Sequence, residues 1–199
     1  RSVGNITLCY TRSKNIAKAK VFSRKDNPTP EILDQRARMK ALVSLSRKII
    51  PVIRKGFVGI GNGTTSNAFV ARNMGAVNVD EKHVGTVDLD LLKLAAGILY
   101  PPKVTVAYST GSQKYTFEQE MQGEEDGFAL QDDRVYGVLY ETVLERTRLV
   151  TLRDRGESGS TSYALPEDWN NENVKAYCFA TSKNGRQASD SRVLTIGES

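Results

Sequence analysis

The stretch "RVYGVLYETV" (134–143), followed closely by "TRLVTLRD" (147–154), decides the fold class. Both runs are short and dense in β-branched and aromatic residues, the composition of a strand that packs on at least one face. Five further runs of the same texture surround them: "KVTVAYS" (103–109), "QKYTFEQEM" (113–121), "STSYAL" (160–165), "VKAYCFATS" (174–182) and "SRVLTI" (191–196). Turn residues separate them at fairly regular spacing. Asn184-Gly185 between the last two runs is a two-residue hairpin signal. About seven strands in about 95 residues predicts an immunoglobulin-like or fibronectin-like sandwich over 101–199. Trp169, before the sixth run, is expected as a core or edge anchor.

Residues 1–100 read differently. "VGNITLCY" (3–10) and "IAKAKVF" (16–22) are strand-like and flank the basic turn "TRSKN", which predicts a β-hairpin. An isolated hairpin is marginal in water, so this one is expected to pack on something or to serve as a docking arm. Asn27-Pro28 ends the strand. Thr29 is then placed as an N-cap, with Pro30 at the first helical position and Glu31 near the positive end of the dipole. The helical pattern runs to about Lys55, with Gly56 as its stop and Pro51 expected to kink or divide it. At ~100° per residue Ile32, Met39, Leu42, Val43, Ile49, Ile50 and Ile53 form a broad apolar face. "SNAFVARNMGA" (66–76) follows as a short helical or irregular segment with Phe69 and Val70 buried. The fold class expected is α+β: a basic hairpin-and-helix region over 1–100 and a β-sandwich domain over 101–199.

Charge separates the same two regions. The formal net charge is +5, but residues 1–56 hold 14 Lys or Arg against 3 Asp or Glu, and residues 106–199 hold 10 against 16. Such polarity points to an acidic partner for the N-terminal part, either nucleic acid or the acidic half of a neighbouring copy. The candidate contact residues are Lys14, Lys18, Lys20, Arg24 and Lys25 around the hairpin, with Arg36, Lys40, Arg47 and Arg54 along the helix. The last four fall within roughly 40° of one another if the helix stays regular. A basic stripe beside a core face also arises where long stems merely cover apolar surface. Tyr10 and Phe22 are the aromatics nearby, so any nucleic-acid binding is expected to be sequence-tolerant.

Enzyme chemistry finds little support. The single histidine, His83, sits in "VDEKHVG" with no nucleophile motif around it. Cys9 and Cys178 lie near opposite ends in strand-like runs and read as free buried thiols, which suggests no zinc site. Asp88-Leu89-Asp90 is a weak metal signal, and the acidic "QGEEDG" (122–127) reads as a solvated loop more readily than as a calcium site. The loop "GIGNGTTS" (59–66) suggests a phosphate cradle, yet it lacks the P-loop lysine. It also has Thr64 where either glycine fingerprint needs glycine. It comes after a helix rather than a strand and is expected to be a connection, with Thr64 to Asn67 capping the next segment. No cofactor is implied. No run approaches the ~20 apolar residues of a membrane helix, so membrane insertion is not expected. The chain begins with Arg1 rather than Met, so an upstream segment, a signal included, is left open.

The order of motifs resembles a family of small uncharacterised proteins from Bacteroides-type bacteria and related phage or prophage regions. The resemblance rests on "RSVGNITL" (1–8), "NPTPE" (27–31) with "QRARMK" (35–40), "SNAFVARN" (66–73) and "VKAYCFATSKNGRQASDSRVL" (174–194). Family members tend to read "NPRTP" where this chain reads "NPTP", and "GIGNG" looks like a variable insert. The family implies no catalytic residue, cofactor or substrate, and favours a phage-derived or surface-associated structural protein. The expected function is therefore a non-enzymatic structural or assembly protein. A virion component of the neck, ring or capsid-associated kind is foremost, either homo-oligomeric or docked on other structural proteins. The alternatives are a sequence-tolerant nucleic-acid-binding protein and a bacterial cell-surface binding module, with cytoplasm or cell surface in place of the virion.

Overall fold

A computed structural model describes residues 2–11, 13–20, 26–60 and 63–198. The chain forms two compact units, Arg1–Leu33 and Asp34–Ser199. The division falls at 33/34 rather than near residue 100. The reason is that the helices after Asp34 share a hydrophobic core with the strands of the C-terminal half. The architecture is mixed α+β.

The first unit holds the expected hairpin, enlarged to three strands in the order β1 (Ser2–Val3), β2 (Ile6–Thr11), β3 (Lys14–Ala19), all antiparallel. Pairing of Val3 with Ile6, Ile6 with Ala19 and Leu8 with Ala17 fixes the register. Because directly paired residues share a face of the pleat, Val3, Ile6, Leu8, Tyr10, Asn15, Ala17 and Ala19 all line one side. Thr7, Cys9, Thr11, Lys14, Ile16 and Lys18 line the other. Val21 and Phe22, expected in the second strand, lie outside the described residues. Cys9 is half-buried rather than buried, since a lone sheet layer cannot enclose it.

Helix α1 (Pro30–Lys48) begins at the expected proline, with Leu33 N–H donating to Thr29 O at 3.1 Å. The helical run then breaks at Ile49 (φ −113°, ψ 23°), and α2 (Ile50–Gly56) starts with Pro51 in its first turn. Pro51 divides the helix as expected, because its missing N–H and its ring are tolerated only at a helix start. Of the expected apolar face, Leu42, Ile49 and Ile53 are fully buried, while Ile32 and Met39 are exposed. Gly56 ends α2 at a close approach: a Cβ there would stand 2.3 Å from Leu94 O, and Ala96 N–H donates to Gly56 O at 2.9 Å.

Helix α3 (Thr65–Asn73) is capped by Thr64, whose hydroxyl accepts from Asn67 N–H at 3.2 Å. A short 3₁₀ turn (Met74–Ala76) leads into a small hairpin, β4 (Val77–Val79) with β5 (Gly85–Val87). The expected strands then follow as β6 (Val104–Ser109), β7 (Lys114–Gln119), β8 (Arg134–Glu141), β9 (Arg146–Asp154), β10 (Gly159–Ala164) and β11 (Val174–Thr181). The last run splits into β12 (Arg192–Leu194) and β13 (Ile196–Glu198). They form two four-stranded sheets, β10-β7-β6-β13 and β12-β11-β8-β9, antiparallel except for β13 on β6. Asn184-Gly185 sits in a four-residue loop rather than a two-residue one, closed by Ser182 N–H donating to Gln187 O at 3.0 Å.

Sheet β12-β11-β8-β9 is buried on both faces. Val135, Leu139, Ala176, Cys178 and Ala180 face the other sheet and pack with Val106, Tyr115, Phe117 and Trp169. The alternate residues Tyr136, Val138, Tyr140, Tyr177 and Phe179 pack on the helical layer with Leu42, Ile53, Phe57 and Phe69. Two-sided burial explains why β8 and β11 read as nearly continuous apolar runs. Burial also pushes the Cys178 thiol up to about 12, consistent with the expected inert core thiol. Trp169 is a core residue, 5% exposed, with the Arg148 guanidinium 5.7 Å above its ring.

At Gly137 the two sheets meet closely: a Cβ there would stand 2.7 Å from the Phe117 ring. Gly137→Ala should therefore cost about 1–3 kcal/mol by overpacking. In denaturant titrations, adding Phe117→Leu should recover part of that loss.

The segment 89–99 has little regular structure and is held by side chains instead. Asn73, 1% exposed, accepts from Lys93 N–H at 2.7 Å and donates to Lys93 O at 2.9 Å. Asp190 takes Lys93 Nζ at 2.6 Å and Gly97 N–H at 3.2 Å, and Ser191 Oγ accepts from Leu94 N–H at 2.9 Å. Burial raises the Asp190 carboxyl, but the bonds from Lys93 and Gly97 outweigh it and hold it below the usual 3.8. A depressed native value means stability that is present above 3.8 and lost as pH falls through the native value. The stability difference between wild type and Asp190→Asn should thus be widest near neutrality and narrow below about pH 4 in denaturant titrations.

Candidate interaction surfaces

The basic residues singled out in the sequence fall into separate groups. Lys14 and Lys18 are exposed on the polar face of the three-stranded arm, and Lys20, paired opposite Asn5, continues their row. Arg24 and Lys25 lie outside the described residues. Arg36, Lys40 and Arg47 are exposed on α1. Arg54 does not extend their stripe, because the break at Ile49 puts it on α2. There it lines a groove of about 300 Å³ with Lys55, Arg134 and Lys183. Arg134 arrives from β8 and Lys183 from the turn after β11, both distant in sequence, and helical periodicity carried no signal for either.

The opposite face of the arm has the clearest surface chemistry. Val3 (68% exposed), Ile6 (49%) and Tyr10 (69%) present apolar side chains to solvent, and among the described residues that face carries polar Asn15 opposite Tyr10 but no charged side chain. Among the described residues of the first unit, this three-stranded sheet is the only sheet. A β-sheet with one clean apolar face normally buries it against another layer. Residues 1–33 carry seven Lys or Arg and two Asp or Glu, so this unit holds the whole +5 of the chain.

In the second unit, sequence reasoning missed a buried ion pair that organises one end of the stacked sheets. Arg155 and Asp133 are both fully buried, with Nε 3.0 Å from Oδ2. Arg155 Nη1 donates to Gln122 Oε1 at 3.0 Å and Nη2 to Tyr100 O at 2.7 Å. Asp133 Oδ2 also accepts from Leu130 N–H at 3.1 Å, while its Oδ1 is buried with no hydrogen-bond partner among the described residues. Burial pushes the Asp133 carboxyl up, against the opposing pull of the Leu130 amide and Arg155. The knot fixes the backbone at Tyr100, Gln122, Leu130 and Asp133 together.

Around that knot the surface is apolar with an acidic rim. Tyr100, Met121, Phe128 and Leu130 are exposed, and the Tyr100 and Phe128 rings lie 6.1 Å apart. Residues 118–133 contain seven carboxylates and no Lys or Arg. The loop 122–127 is tied by Glu125 N–H donating to Ala129 O at 3.1 Å.

The remaining motif residues have structural partners. Asp88 Oδ1 accepts from Asp90 N–H at 3.0 Å, and Asp90 pairs with Lys175 at 2.9 Å. His83 Nδ1 lies 2.6 Å from Asp34 Oδ1. Among the described residues no group of three or more His, Cys, Asp or Glu is placed to hold a metal, and no helix is long and apolar enough to cross a membrane. Beside "GIGNGTTS" lies a mostly apolar groove of about 580 Å³, lined by Ile60, Ala68, Ala71, Ala96 and Ile98 among others. Gly59 (φ +69°) sits where a Cβ would be 2.5 Å from Arg186 O, so Gly59 itself lies against the 183–186 turn. Comparison with protein families, curated proteins and solved structures finds no match for the chain.

Removing one half of the buried pair should be severe. Arg155→Met is expected to cost about 3–5 kcal/mol, because it strands a buried carboxylate. Arg155→Met with Asp133→Leu should cost less than the single change, as chemical denaturation of the two variants would reveal.

Proposed function

We propose that the chain is a non-enzymatic structural and assembly protein, a virion component of the neck, ring or capsid-associated kind, whose basic arm docks onto an acidic protein surface. The observation that carries this reading is the amphipathic arm: a three-stranded sheet whose largely apolar face exposes Val3, Ile6 and Tyr10, in the unit that holds all of the chain's net charge. Burying that face against a partner removes roughly 25 cal/mol per Å² of unfavourable exposure. Long-range attraction toward an acidic surface speeds the encounter.

We also read the stacked sheets as an immunoglobulin- or fibronectin-like sandwich. Its support is the connectivity. The chain passes from the β6-β7 hairpin to β8-β9 in the opposite sheet, returns as β10 beside β7, and crosses again as β11 beside β8. That is a Greek-key path. Such a module suits a repeated structural subunit, though the fold by itself implies no activity. The motif order, resembling proteins of phage and prophage regions, agrees with a virion setting.

A second reading, sequence-tolerant nucleic-acid binding, draws on the Lys14, Lys18 and Lys20 row and on the groove of Arg54, Lys55, Arg134 and Lys183. One experiment separates the two. In a density gradient of particles from a culture making the protein, the full chain should band with particles at a fixed ratio. Ile6→Glu with Tyr10→Glu should shift it to the soluble fraction. A chain found only as soluble protein overturns the assembly reading. Retention on duplex DNA that falls steeply with salt and is lost in Lys14→Glu with Lys18→Glu would replace it with the second.

A further inference from the structure

Resting on the assembly reading, we propose that the arm's partner is a second copy of this chain: the apolar face of Val3, Ile6 and Tyr10 on one copy seats on the acid-rimmed patch of Tyr100, Met121, Phe128 and Leu130 on the next. Three observations lead there. The arm presents a largely apolar sheet face on which Val3, Ile6 and Tyr10 are exposed. The end patch of the second unit is the matching element, an exposed apolar cluster made rigid from beneath by the Arg155–Asp133 knot. The charges are complementary, with the first unit at +5 and the patch bordered by Glu118, Glu120, Glu124, Glu125, Asp126 and Asp132.

Charge also selects between the two symmetries open to a self-association. Packing two arms face to face would set like net charges of +5 against each other across sheets ~10 Å apart, a repulsion that salt weakens but does not reverse. Packing an arm on the end patch opposes unlike charges instead. The lysines of the arm lie on its polar face, away from the docked side. Their part is therefore steering and orientation, and the contact itself is apolar. Such a contact joins two different surfaces, so it closes reciprocally as an arm-exchanged dimer or propagates into a ring or an open row.

The test uses full-length chains in sedimentation and light-scattering measurements over a concentration series. Wild type should grow beyond its 22.0 kDa mass as concentration rises, and less so in high salt. Ile6→Glu with Tyr10→Glu disables the arm, and Met121→Lys with Phe128→Lys disables the patch. Each variant alone should stay monomeric, while their equimolar mixture should form a dimer, because one intact arm then meets one intact patch. The conservative pair Ile6→Leu with Tyr10→Phe should assemble like wild type, which separates loss of the contact from loss of the arm's fold.

A mixture that remains monomeric while wild type associates would overturn the arm-to-patch contact in favour of an arm-to-arm one. A wild type that is monomeric at every concentration would overturn the second copy as partner. If such a chain still bands with particles in an Ile6- and Tyr10-dependent way, the assembly reading stands with another protein as partner. If it does not band, both fall.

Discussion

A guanidinium with no access to solvent sets the terms for one end of this molecule. Arg155 cannot leave its donors unmet in a low-dielectric interior, where an unpaired charge costs several kcal/mol. Its side chain therefore dictates where a carboxylate, a side-chain amide and a backbone carbonyl must stand. Asp133, Gln122 and Tyr100 meet that demand from three separate segments. The backbone closes the same knot a second time, with Arg155 N–H donating to Asp133 O at 2.8 Å and Gln122 N–H donating to Arg155 O at 3.1 Å. A long acidic loop region that would otherwise lack internal support becomes a defined surface.

The helical layer is tied to the sheets by a second set of constraints, and these explain the motifs better than any ligand would. In "SNAFVARN", Phe69 fills the core and Asn73 satisfies both polar groups of Lys93's backbone. In "QASDSRVL", Ser189 Oγ accepts from Ala180 N–H at 2.9 Å, and Asp190 and Ser191 hold the 93–97 segment. A stretch with little regular structure has many backbone groups to satisfy when it runs through an interior. Short polar side chains at fixed offsets satisfy them. Spacing that looks like a functional signature in one dimension is here the spacing of a clamp.

Legibility in the sequence tracks the range of the forces involved. Strands β6 to β11 were readable because burial on alternate faces writes itself locally as β-branched and aromatic runs. The start of α1 and its division at Pro51 were readable because proline acts on its immediate neighbours. The three-residue strands β4 and β5 were not, since "VNV" and "GTV" are too short to show a period. Nor was the boundary at 33/34. Tyr136 and Phe179 look like ordinary strand residues until the fold turns them toward Phe57 and Phe69. Arg155 gave no sign either, because its partners lie between 22 and 55 positions away.

The candidate surfaces divide along the same line. The basic character of the arm was plain from composition, but its apolar face was not, because Ile6, Leu8 and Tyr10 alternate with residues that are themselves only mildly polar. Pairing changes the meaning of those positions. Once Ile6 stands opposite Ala19 and Leu8 opposite Ala17, small and large apolar groups combine into one continuous side. The lysines of β3 gather on the reverse. In the proposed assembly role, apolar area supplies the affinity and the net positive charge decides which surface the arm meets.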